Sequence, residues 1–521
     1  MALTLPLLSA LLLSLPGLAS GQNSNATHVP LLILGGGMAG LRAATLLSSS
    51  HNFSSYTLIE GSPRLGGRMH ATTFGSPTSP GGEHVVELGA NWVQGLTNPD
   101  TGTTNPVWTL AQAVNLSTTY SDYTDFLPYS SNGTLNADEV NNAMDAFSDA
   151  FDTYLSLAGE RQAGGLHDMT ARTGLRMGGW GERGFVQRAV EYWNFDMEYA
   201  MSPDESSWVQ VANNNNFTFN DFSDENNLVV DPRGFSTIAT SPFYALPASQ
   251  RGEVRLNSTV TSIGYSSTGV NITLSSGEML TADYALCTFS LGVLQSPRIT
   301  FTPPLPSWKQ EALSGFAMST YTKIFLQFSD KFWPDTQFQL YADPHSRGRY
   351  TQWQSLDAPG FLPGSKILFT TVTAQDSIRV ESMSDSAVLA ELLQVLSGMY
   401  GPSVVSAVNV TDFYFPRWHA NPLFRGTYSN WPAAFHPAEL DNLRAPLPGT
   451  GAGLGQGRLL FAGEATSFEY FGFLQGAYTE GERAARALAN CLLYKGGQAG
   501  CLGEVWWGEV LEGEGVGETY V

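Results

Sequence analysis

The feature that most constrains this chain is the run Leu31-Leu32-Ile33-Leu34-Gly35-Gly36-Gly37-Met38-Ala39-Gly40. Four apolar residues suited to a buried strand lead straight into G-x-G-x-x-G, and Leu41-Arg42-Ala43-Ala44-Thr45-Leu46-Leu47 continues in good helix formers. The pattern reads as strand, tight turn and helix. Gly35 permits the turn, Gly37 lets a pyrophosphate approach the backbone, and Gly40 lets the helix pack closely on the strand, with the helix N-terminus facing the anion. A second strand, Ser55-Tyr56-Thr57-Leu58-Ile59, ends in Glu60. That acid stands about 20 residues past the last glycine, where a carboxylate accepts from both ribose hydroxyls and favours a free ribose over a 2′-phosphate. A lone glycine-rich turn would be an ordinary loop. Strand, glycines, helix, strand and acid together predict a dinucleotide site in an α/β domain.

Directly after Glu60 comes Gly61-Ser62-Pro63-Arg64-Leu65-Gly66-Gly67-Arg68-Met69, a second glycine pair with an arginine. It is suited to bring backbone N–H groups and a guanidinium onto the same phosphates. This extended pattern resembles the flavin-containing amine oxidases. The resemblance covers about Val29 to Cys501 and is nearest to secreted FAD-dependent polyamine oxidases. It implies a Rossmann-like FAD-binding domain interleaved with an α+β substrate-binding domain. On that reading FAD-binding segments fall at 29–105, 227–300 and 451–495, substrate-domain segments at 106–226 and 301–450, and an acidic, flexible tail at 496–521.

Composition narrows the setting. The formal charge of −21 over 521 residues argues against a nucleic-acid partner and suits attraction of cations. Leu3 to Leu18 is apolar but broken by Pro6 and Pro16, and Gly17-Leu18-Ala19-Ser20 supplies small residues for cleavage. This predicts a signal peptide over 1–20 and no membrane span. N-x-S/T sequons at Asn25, Asn52, Asn115, Asn132, Asn216, Asn257, Asn271 and Asn409 fit a secreted glycoprotein. With three cysteines, disulfides do not hold the fold together; Cys491 and Cys501 can close a short loop, whereas Cys287 reads as a buried thiol.

Farther along, Glu83 to Gly95 starts as a strand and ends in a Gly/Asn turn. Helical patterns span Asp138 to Leu157, Gly184 to Ala200 and Tyr478 to Leu493, while Arg255 to Ile263, Val270 to Leu274 and Ala282 to Phe289 read as strands. Period-two alternation in Tyr321-Thr322-Lys323-Ile324-Phe325-Leu326-Gln327-Phe328 puts Lys323 on one face with Tyr321 and Phe325, an apolar setting for an ammonium.

The resemblance assigns roles to particular residues. It makes Lys323 the catalytic lysine that holds a water beside the flavin, for imine hydrolysis or reoxidation. Trp92 and Gln94 would look into the active site, and Glu198 would be an acid of the substrate tunnel. Tyr428 and Phe473 would form the two walls of an aromatic slot. Val260, Trp418 and Glu464 join Gly35, Gly37, Gly40, Glu60 and Arg68 in holding the cofactor. Where monoamine oxidases carry a flavin-linking cysteine this chain has Thr427, so the FAD is expected to be non-covalent. Gln94 stands where secreted polyamine oxidases can place a second carboxylate.

Chemically, the resemblance implies oxidation of spermine- or spermidine-like amines with O2 to an aldehyde, a shorter amine and H2O2. An alkylamine with a pKa of about 10 must lose its proton to react, so burial in the slot would lower that pKa while acids such as Glu198 hold the distal ammonium groups. The alternatives are oxidation of another amine, such as an L-amino acid, a monoamine or an alkaloid-like metabolite, and a non-catalytic flavoprotein. No metal site is expected: the ligand motifs of copper amine oxidases and H-E-x-x-H are absent, as is the G-x-S-x-G of serine hydrolases.

Overall fold

The computed structural model describes residues 27–433, 435–448, 457–494 and 501–502. The expected signal peptide, Asn25 and all of the acidic tail except 501–502 lie outside them. The first strand, β1 (Thr27–Leu34), leads through Gly35–Gly37 into α1 (Met38–His51), and β2 (Tyr56–Ile59) follows. β1 has parallel neighbours on both sides, β2 and the strand Met279–Cys287. Central placement explains the unbroken apolar run: Leu31 and Ile33 enter one core with α1 and the helix Leu474–Ala489, while Leu32 and Leu34 enter the core on the other face. Glu253–Arg255 extends the sheet beyond β2, and Leu459–Phe461 pairs in parallel with Ala285–Cys287. The antiparallel strands Gly269–Leu274 and Val260–Ser266 and the short Thr300–Thr302 complete eight strands.

The segment Arg255 to Ile263, read above as one strand, is two. Asn257 takes the left-handed conformation with φ 52° and breaks it. Glu253–Arg255 stays beside β2, and Val260–Ser266 begins again on the opposite side of the sheet. Between them the chain passes the end of β2 where Glu60 emerges, Asn257 N donating to Ser62 O and Ser258 N to Glu60 O.

A second, seven-stranded sheet runs Val410–Tyr414, Tyr321–Phe328, Ile367–Thr373, Gln352–Ser355, Phe338–Tyr341, Phe126–Ser130, Gly133–Thr134. Its helices include Ala137–Ala163 and Asp385–Tyr400 on separate apolar clusters. Tyr321–Phe328 pairs with Ile367–Thr373 along most of its length and with Val410–Tyr414 from Phe325 onward, and Lys323 is buried rather than turned out to solvent. The small sheet Trp92–Gln94, Asn226–Val229, Thr118–Tyr120 brings Gln94 opposite Asn226. Within 184–200 the helix Phe185–Glu191 widens into a π-turn at Tyr192–Asp196 and ends with Ala200 at φ 50°. The last helix begins at Leu474, four residues before the expected start, with Phe473 as its N-cap. Cys491 and Cys501 form a disulfide, and Cys287 is a buried free thiol.

Candidate active site

One cavity of about 1010 Å³ joins the two sheets. It runs from the Gly35–Gly37 turn, past Gly66, Gly67 and Arg68, to an aromatic arm under the strand Tyr321–Phe328. Thirteen of the fourteen residues singled out from sequence line it: Gly35, Gly37, Glu60, Arg68, Trp92, Gln94, Glu198, Val260, Lys323, Trp418, Tyr428, Glu464 and Phe473. Gly40 lies beneath the wall instead, where a Cβ would stand 2.0 Å from the Gly35 carbonyl oxygen. Its expected role was close helix packing, and that is the contact seen.

The nucleotide end has the form a dinucleotide needs. Gly35 has φ +110°, and a Cβ on Gly67 would come 3.0 Å from the Gly37 Cα, so two glycine turns face each other. The helices α1 and Leu474–Ala489 both open on the cavity with no side-chain cap, leaving N-terminal amides for anionic groups. Both Glu60 oxygens are fixed by backbone, accepting from Gly36 N at 2.7 Å and Ser62 N at 2.8 Å. The remaining lone pairs can face ribose hydroxyls. Glu464 is held harder: it accepts from Arg68 Nη1, Ser429 N and Oγ, and Gly472 N. Arg68 Nη1 also donates to Thr427 O at 2.8 Å. Arg64 is spent inside its own loop, on the carbonyls of Leu65, Gly67 and Met69. Trp418 is buried, donates to Leu88 O and meets Phe424 edge to face. These residues fit an FAD.

In the aromatic arm Lys323 is 1 % exposed, its Nζ donating to Glu87 O at 3.0 Å and to Gly89 O, with the Trp92 ring centroid 5.4 Å away. Gly89 can only be glycine there, because a Cβ would fall 1.7 Å from Arg68 O. Glu198 is half-buried, and Gln94 Nε2 donates to both its oxygens at 2.9 and 3.2 Å. Burial pushes its carboxyl up to about 7, with the Gln94 hydrogen bond opposing. Tyr428 Oη donates to the Glu198 backbone carbonyl at 3.1 Å and its ring tilts against Tyr321 at 5.9 Å. Phe473 stands edge to face with Phe219, and Trp92 is oriented by donating to Ser121 Oγ.

Sequence reasoning missed several participants. Tyr123 and Trp193 line the arm, brought there by a turn and a π-turn with no sequence signature for a site. Glu87 lies just behind it, buried beside Lys323. A carboxylate in the apolar run Val85-Val86-Glu87-Leu88 was the available signal. Among the described residues no group of His, Cys, Asp and Glu is arranged to hold a metal, and no helix is long and apolar enough to cross a membrane.

Comparison with known proteins agrees with this geometry. The chain belongs to the flavin containing amine oxidoreductase family, which it matches over residues 38–489. It is an FAD-dependent amine oxidase. It is 34% identical over 505 residues to "Polyamine oxidase 1" of Zea mays, covering 93% of this chain and 95% of that protein. It is 33% identical over 506 residues to "Polyamine oxidase 6" of Oryza sativa subsp. japonica, covering 94% and 96%. A redesigned putrescine oxidase structure shares the fold, with TM-score 0.66 at 16% identity over 89% of this chain and 99% of that one.

Proposed function

We propose that this protein is a secreted oxidase of polyamines of the spermine and spermidine type, with non-covalently held FAD. The observation that carries the reading is the bond from the Tyr428 hydroxyl to the backbone carbonyl of Glu198. It ties one aromatic wall, which suits a neutral nitrogen, to the residue whose carboxylate suits a distal ammonium. A monoamine would use only half of this arrangement. When bound, FAD supplies the acceptor for hydride from the carbon beside the amine nitrogen and is reoxidised by O2 with release of H2O2.

The chain's own residues do the rest. Tyr428 and Phe473 exclude water from the reacting nitrogen and lower its pKa by desolvation. Glu198 keeps a second nitrogen charged and fixes the substrate's depth. Lys323, fastened through two carbonyls, holds a water in the arm for imine hydrolysis or reoxidation. Glu60, Arg68, Val260, Trp418 and Glu464 would hold the cofactor with the glycine turns. Of the two arginines among the described residues lining the cavity, Arg68 is bound to Glu464, and Arg298 just precedes Thr300–Thr302, which pairs with Val260–Ser266 of the nucleotide-binding sheet. This favours an amine over an amino acid.

In support of non-covalent FAD, no cysteine is among the described residues lining the cavity, and the Thr427 hydroxyl is engaged with Ser319 O. Secretion is supported by the disulfide and by sequon exposure: Asn52, Asn115, Asn132, Asn257, Asn271 and Asn409 are exposed, while Asn216 is half-buried. The test is oxygen uptake and peroxide release with spermine, spermidine, N-acetylspermine, benzylamine and L-phenylalanine, with products identified by mass. Turnover of the polyamines with one peroxide per aldehyde is expected; turnover restricted to benzylamine or the amino acid would contradict the reading. Glycosidase treatment of the protein from its native source should lower its mass.

A further inference from the structure

A buried lysine takes its charge state from what faces it. The two backbone carbonyls that bind Lys323 Nζ, those of Glu87 and Gly89, occupy two of the positions around the nitrogen. What is left is the position toward the cavity that Lys323 lines. An ammonium offers a donor there; a neutral amine offers a lone pair.

The carboxylate acting on that nitrogen belongs to Glu87. Glu87 is buried, its Oε1 accepts from Phe235 N at 2.5 Å, and its Oε2 is buried with no partner. The Phe235 bond needs only an oxygen acceptor, which an amide would supply without the cost of a buried charge. That bond therefore does not require a carboxylate, and the charge of Glu87 acts instead on the two cations near it, Arg64 and Lys323.

We propose that Glu87 is a positioning residue for Lys323, its carboxylate behind the cavity wall deciding whether Lys323 presents a donor or a lone pair to the substrate arm. The proposal rests on the reading of Lys323 given above. Burial drives both groups toward their neutral forms, Glu87 upward and Lys323 downward, and the charge of each opposes the shift of the other. The other charges around them are accounted for. Arg64 acts on Glu87 and is itself faced by Glu60, and His70, next to Arg64, is held down to about 4 by burial and so is neutral. With Glu87 ionised, Lys323 is kept as the ammonium; with Glu87 neutral, burial favours the amine.

The test follows flavin reduction by spermidine and reoxidation by O2 across pH in the wild-type holoenzyme and in Glu87→Gln, Glu87→Asp and Lys323→Met. Wild type should show a limb that Lys323→Met abolishes. Glu87→Gln should move that limb to lower pH by about 1 pH unit or more, and Glu87→Asp should return it toward wild type. A limb unmoved in Glu87→Gln but absent in Lys323→Met overturns the proposal while leaving the role of Lys323 intact. A limb that survives Lys323→Met overturns the role of Lys323 and the proposal with it. If Glu87→Gln does not fold, infrared difference spectra decide: the protonated-carboxyl band should persist to higher pH in Lys323→Met than in wild type, because Glu87 has lost the cation that favours its anion. Identical titration of that band in both proteins overturns the proposal.

Discussion

Replacing Glu198 with Gln isolates the electrostatic part of substrate binding, because the side chain keeps its length and still meets Gln94. Tyr428 is bound to the backbone carbonyl of residue 198, so the aromatic wall stays in place. Removing one member of a buried charge pair costs about 2–5 kcal/mol. Glu198 is half-buried and faces the cavity, which puts the loss at the low end. About 2–3 kcal/mol corresponds to a roughly 30–150-fold fall in kcat/KM for spermidine. The assay belongs at about pH 8.5, where a carboxyl raised to about 7 is ionised. Benzylamine, with no distal ammonium, should lose less than about threefold, a limit set by the small cost of an isosteric change. The sign of the pH effect follows from the raised pKa: protonation below about 7 removes the negative charge, so the wild-type advantage is present above that pH and lost below it. Equal losses for spermidine and benzylamine, or a mutant-to-wild-type ratio that does not change with pH, would refute the assignment of Glu198 as the ammonium anchor.

Other substitutions probe different parts of the account. Gln94→Glu sets a second carboxylate against Glu198, so one of the two should stay protonated near neutrality; the acidic limb of kcat/KM should move above about 7, with any gain for polyamines appearing only at higher pH. In Gly40→Ala the new Cβ meets a backbone oxygen at 2.0 Å, which only a shift of the Gly35 turn can relieve. A loss of about 3 kcal/mol or more is expected, with little flavin in the purified protein by absorbance. Lys309 is fully buried and donates to the carbonyls of Asn442, Leu443 and Ala445 at the end of the helix Pro437–Arg444. Lys309→Met orphans all three, for about 3 kcal/mol and a melting temperature lower by several degrees, while flavin content at room temperature stays the same.

The nucleotide end could be read locally because each of its parts is built from neighbours in sequence. The turn at Gly35, the close approach at Gly40 and the acid at Glu60 all fall within thirty residues of β1. The period-two pattern likewise placed Lys323 correctly on an apolar face, since alternation is a property of the strand itself. What holds that lysine was not legible, because Glu87 and Gly89 stand more than 230 residues earlier. The same is true of Tyr123 and Trp193, which reach the arm by packing on Phe338, and Trp193 also on Phe126, of the second sheet. Two element boundaries went astray for local reasons. Asn257 could continue a strand by composition but turns left-handed, and the last helix starts behind Phe473, which offers none of the polar N-cap chemistry that marks a helix start.

The most direct measurement is anaerobic mixing of the purified yellow protein with spermine, spermidine, N-acetylspermine, benzylamine and L-phenylalanine, following the flavin absorbance. The account predicts rapid bleaching by the polyamines and slow or no bleaching by benzylamine and L-phenylalanine. An FAD-loaded protein that no polyamine bleaches, or that only a monoamine or amino acid bleaches, would contradict it.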